Sequence, residues 1–254
     1  NRRRRGSDRG CEVVQERGAP IMANWRQKVV DWDHNNLDWG GEEQLTKSIN
    51  DAKSNIVHLP TYGSGGCIID IGSNIGEFAK AASEFFDEVI CYEAHPVSYD
   101  ISVSRTSDLK NVKVYNKAVW KNSEQKLFAS TPENSTGVTV RDKKFYSNRK
   151  EGYYKTVDSV SFDDLMETNN PRVIKMDIEG CEFEVLPQAK FNDGLEFLSV
   201  EFHQPFVSPS RIDKFNQCLS NLEKNGFSII SDTNLTPRKV LYFIIIFSRG
   251  PSHA

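Results

Sequence analysis

Long apolar runs are missing from this sequence. The strongest, "VLYFIIIF" from Val240 to Phe247, is far short of the roughly 20 residues that cross a bilayer and reads as a buried strand, so no membrane span is expected. Cysteine is scarce and unpatterned. Cys11, Cys67, Cys91, Cys181 and Cys218 are odd in number and contain no C-x-x-C pair, which offers no disulfide framework. Cys67 and Cys91 lie in apolar runs where small buried thiols are common, and a reduced, cytoplasmic protein is expected. Neither sign of charge dominates: 32 Lys and Arg against 35 Asp and Glu leave a net charge of -3. That balance gives no global attraction to nucleic acid or to an anionic membrane, and any such binding has to come from a local patch. Internal repeats are absent. The first residues, "NRRRRGSDRGCEVVQERGAP", lack both apolar periodicity and the apolar core of a signal peptide. Residues 1–21 are expected to be a disordered or non-native tail, with Met22 a natural initiator and Arg2 to Arg5 a solvated run.

The chain's 254 residues suffice for one sizeable α/β domain with a short appendage. Residues 22–65 hold Trp25, Trp32 and Trp39, and "GEEQLTKSINDAKSN" within them has the pattern of a helix that could lie over the main domain as an N-terminal lid. In residues 66–254 short apolar runs alternate with helical patterns, the signature of βαβ units and a parallel sheet. Strands are expected at 67–71, 88–93, 112–119, 172–177, 195–202, 226–231 and 240–247, and helices at 75–86, 97–106, 161–168, 180–189 and 209–224. The last helix is well marked by Ser208 as its cap, Pro209 in its first turn, Ile212, Phe215, Leu219 and Leu222 at helical spacing and Gly226 beyond its end. Only "SDTNLTPRK" joins the final two strands, which predicts an antiparallel hairpin closing an otherwise parallel sheet.

"CIIDIGSNIGEFAKAA", residues 67–82, runs a strand into Asp70, a glycine loop and a helix. That puts backbone amides at the carboxyl edge of the sheet, where open α/β folds bind ligands. Gly72 and Gly76 would let a ligand approach the backbone closely. Their G-x-x-x-G spacing lacks the middle glycine of a pyrophosphate loop, which favours a nucleoside ligand without a diphosphate. The next strand, "EVICYEAHP", ends on Glu93, where an acid can accept both hydroxyls of a ribose.

Taken in order, "IIDIGSNIG", "VICYEAHP", "NKAVW", "VDSVSFDDLM" and "VIKMDIEGCEFEVL" resemble the FkbM-type family of class I S-adenosylmethionine-dependent methyltransferases, over roughly residues 66–203. The resemblance implies a Rossmann-like seven-stranded, mostly parallel sheet with an antiparallel last strand and helices on both faces. It implies a transferase that O-methylates a hydroxyl of a sugar, glycan, lipid or secondary metabolite. By the same resemblance Asp70, Gly72, Ser73, Asn74 and Gly76 would take the methionine end of S-adenosyl-L-methionine, Glu93 and Ala94 its ribose, and Lys117 and Ala118 its adenine, with Asp177 beside them. The family's proline follows the acid by two residues; here, in "EAHP", it comes one later.

Methyl transfer requires alignment of donor and acceptor and removal of the acceptor's proton. "RVIKMDIEG" brings Lys175, Asp177 and Glu179 to one strand end and "LSVEFHQP" brings Glu201 and His203 to the next. Strand alternation lets Lys175 and Asp177 converge with Glu201 and His203 on one cleft. His203 is a candidate general base, with an ordinary pKa suited to neutrality and with Glu201 or Asp177 orienting it. Alternatively Asp177, Glu201 and His203 could hold a divalent cation, Mg²⁺ or Mn²⁺, that acidifies the acceptor hydroxyl. Lys175 reads as a snorkelling strand residue. "RDKKFYSNRKEGYYK", residues 141–155, interleaves basic and aromatic groups in the manner of single-stranded nucleic-acid binders. It supports an RNA ribose 2′-O-methyltransferase as a rival activity, and a non-catalytic cofactor-binding protein of the same fold is a third reading.

Overall fold

Strands buried on both faces need unbroken runs of branched apolar residues, and "CIIDI", "EVICY" and "VIKM" supply them. In the computed structural model, which describes residues 41–123, 126–130, 140–141, 154–206, 208–232 and 242–250, these runs are β1 (Cys67–Ile71), β2 (Glu88–Tyr92) and β8 (Val173–Met176). With β3 (Val112–Tyr115), β9 (Phe197–His203), β10 (Phe227–Asp232) and β11 (Tyr242–Arg249) they form a seven-stranded sheet in the order β10-β11-β9-β8-β1-β2-β3. β3, β2, β1, β8 and β9 pair in parallel, while β11 runs antiparallel between β9 and β10. The order reverses beside β1, so the carboxyl ends of β1 and β8 flank the switch point where α/β sheets open a crevice. The register sets Asp70 of β1 directly opposite Lys175 of β8.

The helices are α1 (Gly41–Ile56), α2 (Glu77–Ala82), α3 (Pro96–Thr106), α4 (Phe162–Asn169), α5 (Glu182–Val185) and α6 (Pro209–Lys224). α6 starts as its sequence predicts, the Ser208 hydroxyl accepting the Arg211 N–H at 3.2 Å. The displaced proline serves α3: Pro96 occupies its first turn and His95 caps it. The expected helix over 180–189 is cut short, because Pro187 cannot donate to the α-ladder and the chain continues as a 3₁₀ turn over Leu186–Gln188. Behind the sheet Phe202 meets Phe183 and Phe215, the latter edge-on with centroids 4.9 Å apart.

The strand expected over 112–119 is two strands in different sheets. Asn116 breaks it by turning its amide to the Glu93 and Ala94 carbonyls, and β4 (Ala118–Trp120) then joins a second sheet. That sheet, in the order β4-β7-β5-β6, also contains β5 (Lys126–Ser130), β6 (Val140–Arg141) and β7 (Tyr154–Ser161), three strands that the sequence reading did not anticipate. The expectations for the tail, the three N-terminal tryptophans, most of the basic and aromatic segment and the last hairpin's turn lie outside the described residues. Among the described residues no helix is long and apolar enough to cross a membrane.

Candidate active site

The loop after β1 is forced into shape by three left-handed residues, Gly72 at φ 80°, Asn74 at φ 49° and Gly76 at φ 82°. Its glycines leave room for the protein itself. A Cβ on Gly72 would lie 1.8 Å from the Asp177 carbonyl oxygen, and one on Gly76 would lie 2.7 Å from Ser102 Oγ of α3. The loop is tied to β2 by Glu93, whose two carboxylate oxygens accept the N–H groups of Asn74 and His95, each at 2.7 Å. Burial pushes the Glu93 carboxyl up to about 7, against those two N–H donors. Ala94 packs against the buried cluster of Ala118, Trp120 and Val157, and Lys117 is exposed at the turn before it.

Lys175 does not snorkel. It is 4% exposed, and its ammonium donates to the Gly72 carbonyl at 2.9 Å while pairing with Asp70 Oδ1 at 3.1 Å and Asp177 Oδ2 at 3.8 Å. One buried cation therefore joins the ends of β1 and β8. Asp70 is fully buried, and burial raises its carboxyl above the usual range even with Lys175 alongside.

β9 brings His203 into the same group. Its Nε2 lies 3.3 Å from Glu179, 3.7 Å from Glu201 and 3.8 Å from Asp177, and its Nδ1 lies 3.1 Å from Glu182. Asp177, Glu201 and His203 each offer a metal-ligand atom within 4.8 Å of the others. The carboxylates around His203 work against an imidazole that titrates near neutrality. Burial alone would lower its pKa, but the hydrogen bond and charge of Glu182, followed by the charges of Asp177 and Glu179, outweigh burial and push it up to about 10. That direction favours the imidazolium at neutral pH, the form that does not take a proton. The carboxyls move up as well, but through burial: burial, reinforced by Asp177, raises Glu201 to about 8, and burial raises Glu179 to about 7.

Several members of the site escaped the sequence reading. Glu182 is fully buried, and the oxygen facing His203 also accepts the N–H groups of Ile178 and Gly180. It fixes both the ring and the turn after β8, where Glu179 is held at φ 53°. Its signal was present in "DIEGCE", an acid two residues past a turn glycine. α1 contributes the other wall. A cleft of about 350 Å³, open to solvent, runs between the loop and this helix, and of the predicted site residues Gly72, Ser73, Asn74 and Asp177 line it. Opposite them stand Ser48, Asp51, Ala52 and Asn55, spaced i, i+3, i+4, i+7 on one helical face. Asn55 donates to Glu201 at 3.3 Å.

A family described as the methyltransferase FkbM domain matches residues 70–229, more than half of the chain. No curated protein matches the sequence. Solved structures similar to it include an rRNA methylase from Streptococcus thermophilus, 9% identical with a TM-score of 0.47, covering 77% of this chain and 93% of that one. Fibrillarin from Methanococcus jannaschii, a pre-rRNA processing protein, is 11% identical with a TM-score of 0.45, over 74% of this chain and 68% of that one. Fibrillarin from Aeropyrum pernix with natively bound S-adenosyl-L-methionine is 12% identical with a TM-score of 0.44, over 78% and 76%.

Proposed function

The chain belongs to the FkbM methyltransferase family, and from that membership we propose that it methylates a hydroxyl of a sugar, glycan, lipid or secondary metabolite with S-adenosyl-L-methionine as donor. The observation that carries the reading is the meeting of the β1, β8 and β9 ends, which gathers Asp70, Lys175, Asp177, Glu201 and His203 beside one loop and one cleft. The residues present fit the donor. Ser73 Oγ and Asn74 Oδ1 are buried in the cleft wall without a hydrogen-bond partner among the described residues, and the acidic surroundings suit a cation. Asp70 and the loop from Gly72 to Gly76 would hold its methionine end, Glu93 and Ala94 its ribose, and Lys117 and Ala118 its adenine. When bound, that donor supplies a methyl group made electrophilic by a sulfonium.

The acceptor's proton goes to a carboxylate, and we assign it to Asp177, the acidic member of the β8 and β9 cluster that lines the cleft. His203 and Lys175, one cation on each side of Asp177, orient it. Glu201 borders the acceptor with its raised carboxyl held by Asn55. The proposal is tested by incubating the protein and labelled donor with glycans, nucleotides and short RNAs and weighing the products. A gain of one methyl on a glycan or metabolite hydroxyl is expected; methylation of RNA ribose alone would favour the rival activity, and no transfer to any acceptor together with retained donor binding would favour the non-catalytic reading.

A second reading rests on the compactness of Asp177, Glu201 and His203. A carboxylate on a ligand histidine's other nitrogen is a common support for a metal site, and Glu182 occupies that position. Mg²⁺ or Mn²⁺ bound there would have to displace the His203 proton and would then acidify the acceptor hydroxyl. Loss of transfer on chelation, restored by either ion, is the result expected of this reading; transfer indifferent to chelator removes it.

A further inference from the structure

β9 ends on His203 and leaves the site through a constrained turn. Gln204 has φ 49°, a left-handed conformation uncommon outside glycine, and it precedes Pro205, a position where extended backbone is preferred. Pro205 is buried, while Gln204 and Phe206 on either side of it are exposed. Phe206 is 46% exposed yet anchored: its ring meets Phe215 edge-on at 5.7 Å, and Phe215 meets the fully buried Phe202 at 4.9 Å. Three residues of chain reach at most about 11 Å, which keeps this ring close to His203. Among the described residues of the turns after β8 and β9 it is the one exposed large apolar side chain. A lone exposed apolar residue is ordinary on a surface. One carried by a strained turn at the edge of a reaction site is not, because such strain persists only where the surroundings hold it, and it gathers at ligand sites.

The neighbouring charges say what the ring meets. The carboxylates of Asp177, Glu179 and Glu201 stand around His203 Nε2; they oppose the phosphates of RNA and can accept hydroxyls. A single ring buries too little area to hold a lipid chain. A neutral sugar suits both features, its C–H face packing on the aromatic ring and its hydroxyls meeting carboxylates and an amide.

We propose that the turn after β9 is the acceptor's platform, Phe206 stacking on the C–H face of a neutral pyranoside and the Gln204 amide hydrogen-bonding its hydroxyls. The proposal deepens the O-methylation reading above and rests on it. It is tested on the full chain with the methyl pyranosides of glucose, galactose, mannose, fucose and rhamnose, by saturation-transfer NMR in the presence of S-adenosylhomocysteine and by transfer kinetics with S-adenosylmethionine. At least one pyranoside should take up saturation on the protons of one ring face and accept a methyl group. In Phe206→Ala that saturation should vanish and the acceptor KM should rise about 10-fold, as loss of an aromatic contact dictates. Affinity for S-adenosylhomocysteine should stay within about twofold of wild type, which also reports that the variant folds, and Phe206→Trp should restore the acceptor KM. Gln204→Gly, which frees the backbone and removes the amide, should raise the same KM. A pyranoside methylated equally well by wild type and Phe206→Ala overturns the platform and leaves the O-methylation reading standing. So does an equal loss of acceptor and donor binding in Phe206→Ala, which would make the ring a general support, and so does a wild-type protein that binds none of the five pyranosides but methylates another hydroxyl. Wild-type protein that transfers a methyl group to no hydroxyl removes the reading and the platform together.

Discussion

At the scale of single residues, the site is defined by how carboxylates are held. Glu93 is occupied by two backbone N–H groups, yet each carboxylate oxygen can accept a second hydrogen bond. Its predicted role toward a ribose is therefore compatible with its structural one, and two substitutions separate them. Glu93→Ala should weaken S-adenosylhomocysteine binding by about 1–3 kcal/mol, and Glu93→Gln, which keeps one acceptor, should recover part of that loss in calorimetry. Equal affinity in wild type and Glu93→Ala would reduce Glu93 to a loop tie. Asp177 behaves differently if it takes the acceptor's proton. Asp177→Asn should lower single-turnover transfer by about 100-fold or more, the range of a lost general base, with a much smaller change in donor affinity. Transfer that survives Asp177→Asn would send the proton elsewhere.

At the scale of elements, the glycine loop shows what a sequence pattern reveals and what it hides. That a strand runs through Asp70 and turns into a helix at the sheet's carboxyl edge was legible from apolar runs and glycine spacing, as was the convergence of β8 and β9. The reason for the glycines was not, since the Asp177 carbonyl that crowds Gly72 and the Ser102 hydroxyl that crowds Gly76 arrive from distant sequence. The same limit hid the second sheet: β5 and β7 carry polar and apolar residues without a long branched run, and β7 finds its partners 24 residues or more away in sequence. It hid Lys175 too, because an isolated lysine in a strand carries no mark of the two carboxylates its neighbours will bring. The crowding is testable. Gly72→Ala meets backbone at a left-handed φ and should destabilise the fold by about 3 kcal/mol or more. Gly76→Ala meets a side chain, so combining it with Ser102→Ala should recover part of its loss, read as denaturant midpoints. A double variant no better than Gly76→Ala would place the whole cost in the backbone.

At the scale of the whole molecule, the β8 turn, α5 and β9 are held together through one imidazolium, and this couples stability to pH. Asp177, Glu179, Glu182 and Glu201 face His203, with Asp51 and Lys175 close enough to act on the same cluster. The folded-state pKa of about 10 lies above the ordinary 6.5 of the unfolded chain. Between those values the native state holds a proton that the unfolded state has released. The stabilisation is thus complete below about pH 6.5 and disappears as pH rises toward 10. Glu179 and Glu201, raised by burial to about 7 and about 8, have the same sign: each is stabilising when protonated and loses that contribution on ionising. Melting temperature should fall steadily from pH 6.5 to 10 in wild type, and His203→Gln should be less stable at pH 6.5 but lose less over the same range. A wild-type melting temperature that is flat or rising across that window would mean that His203 is neutral in the folded protein. Its ring would then carry a lone pair able to take a proton, and the general base predicted from sequence would again be His203 instead of Asp177.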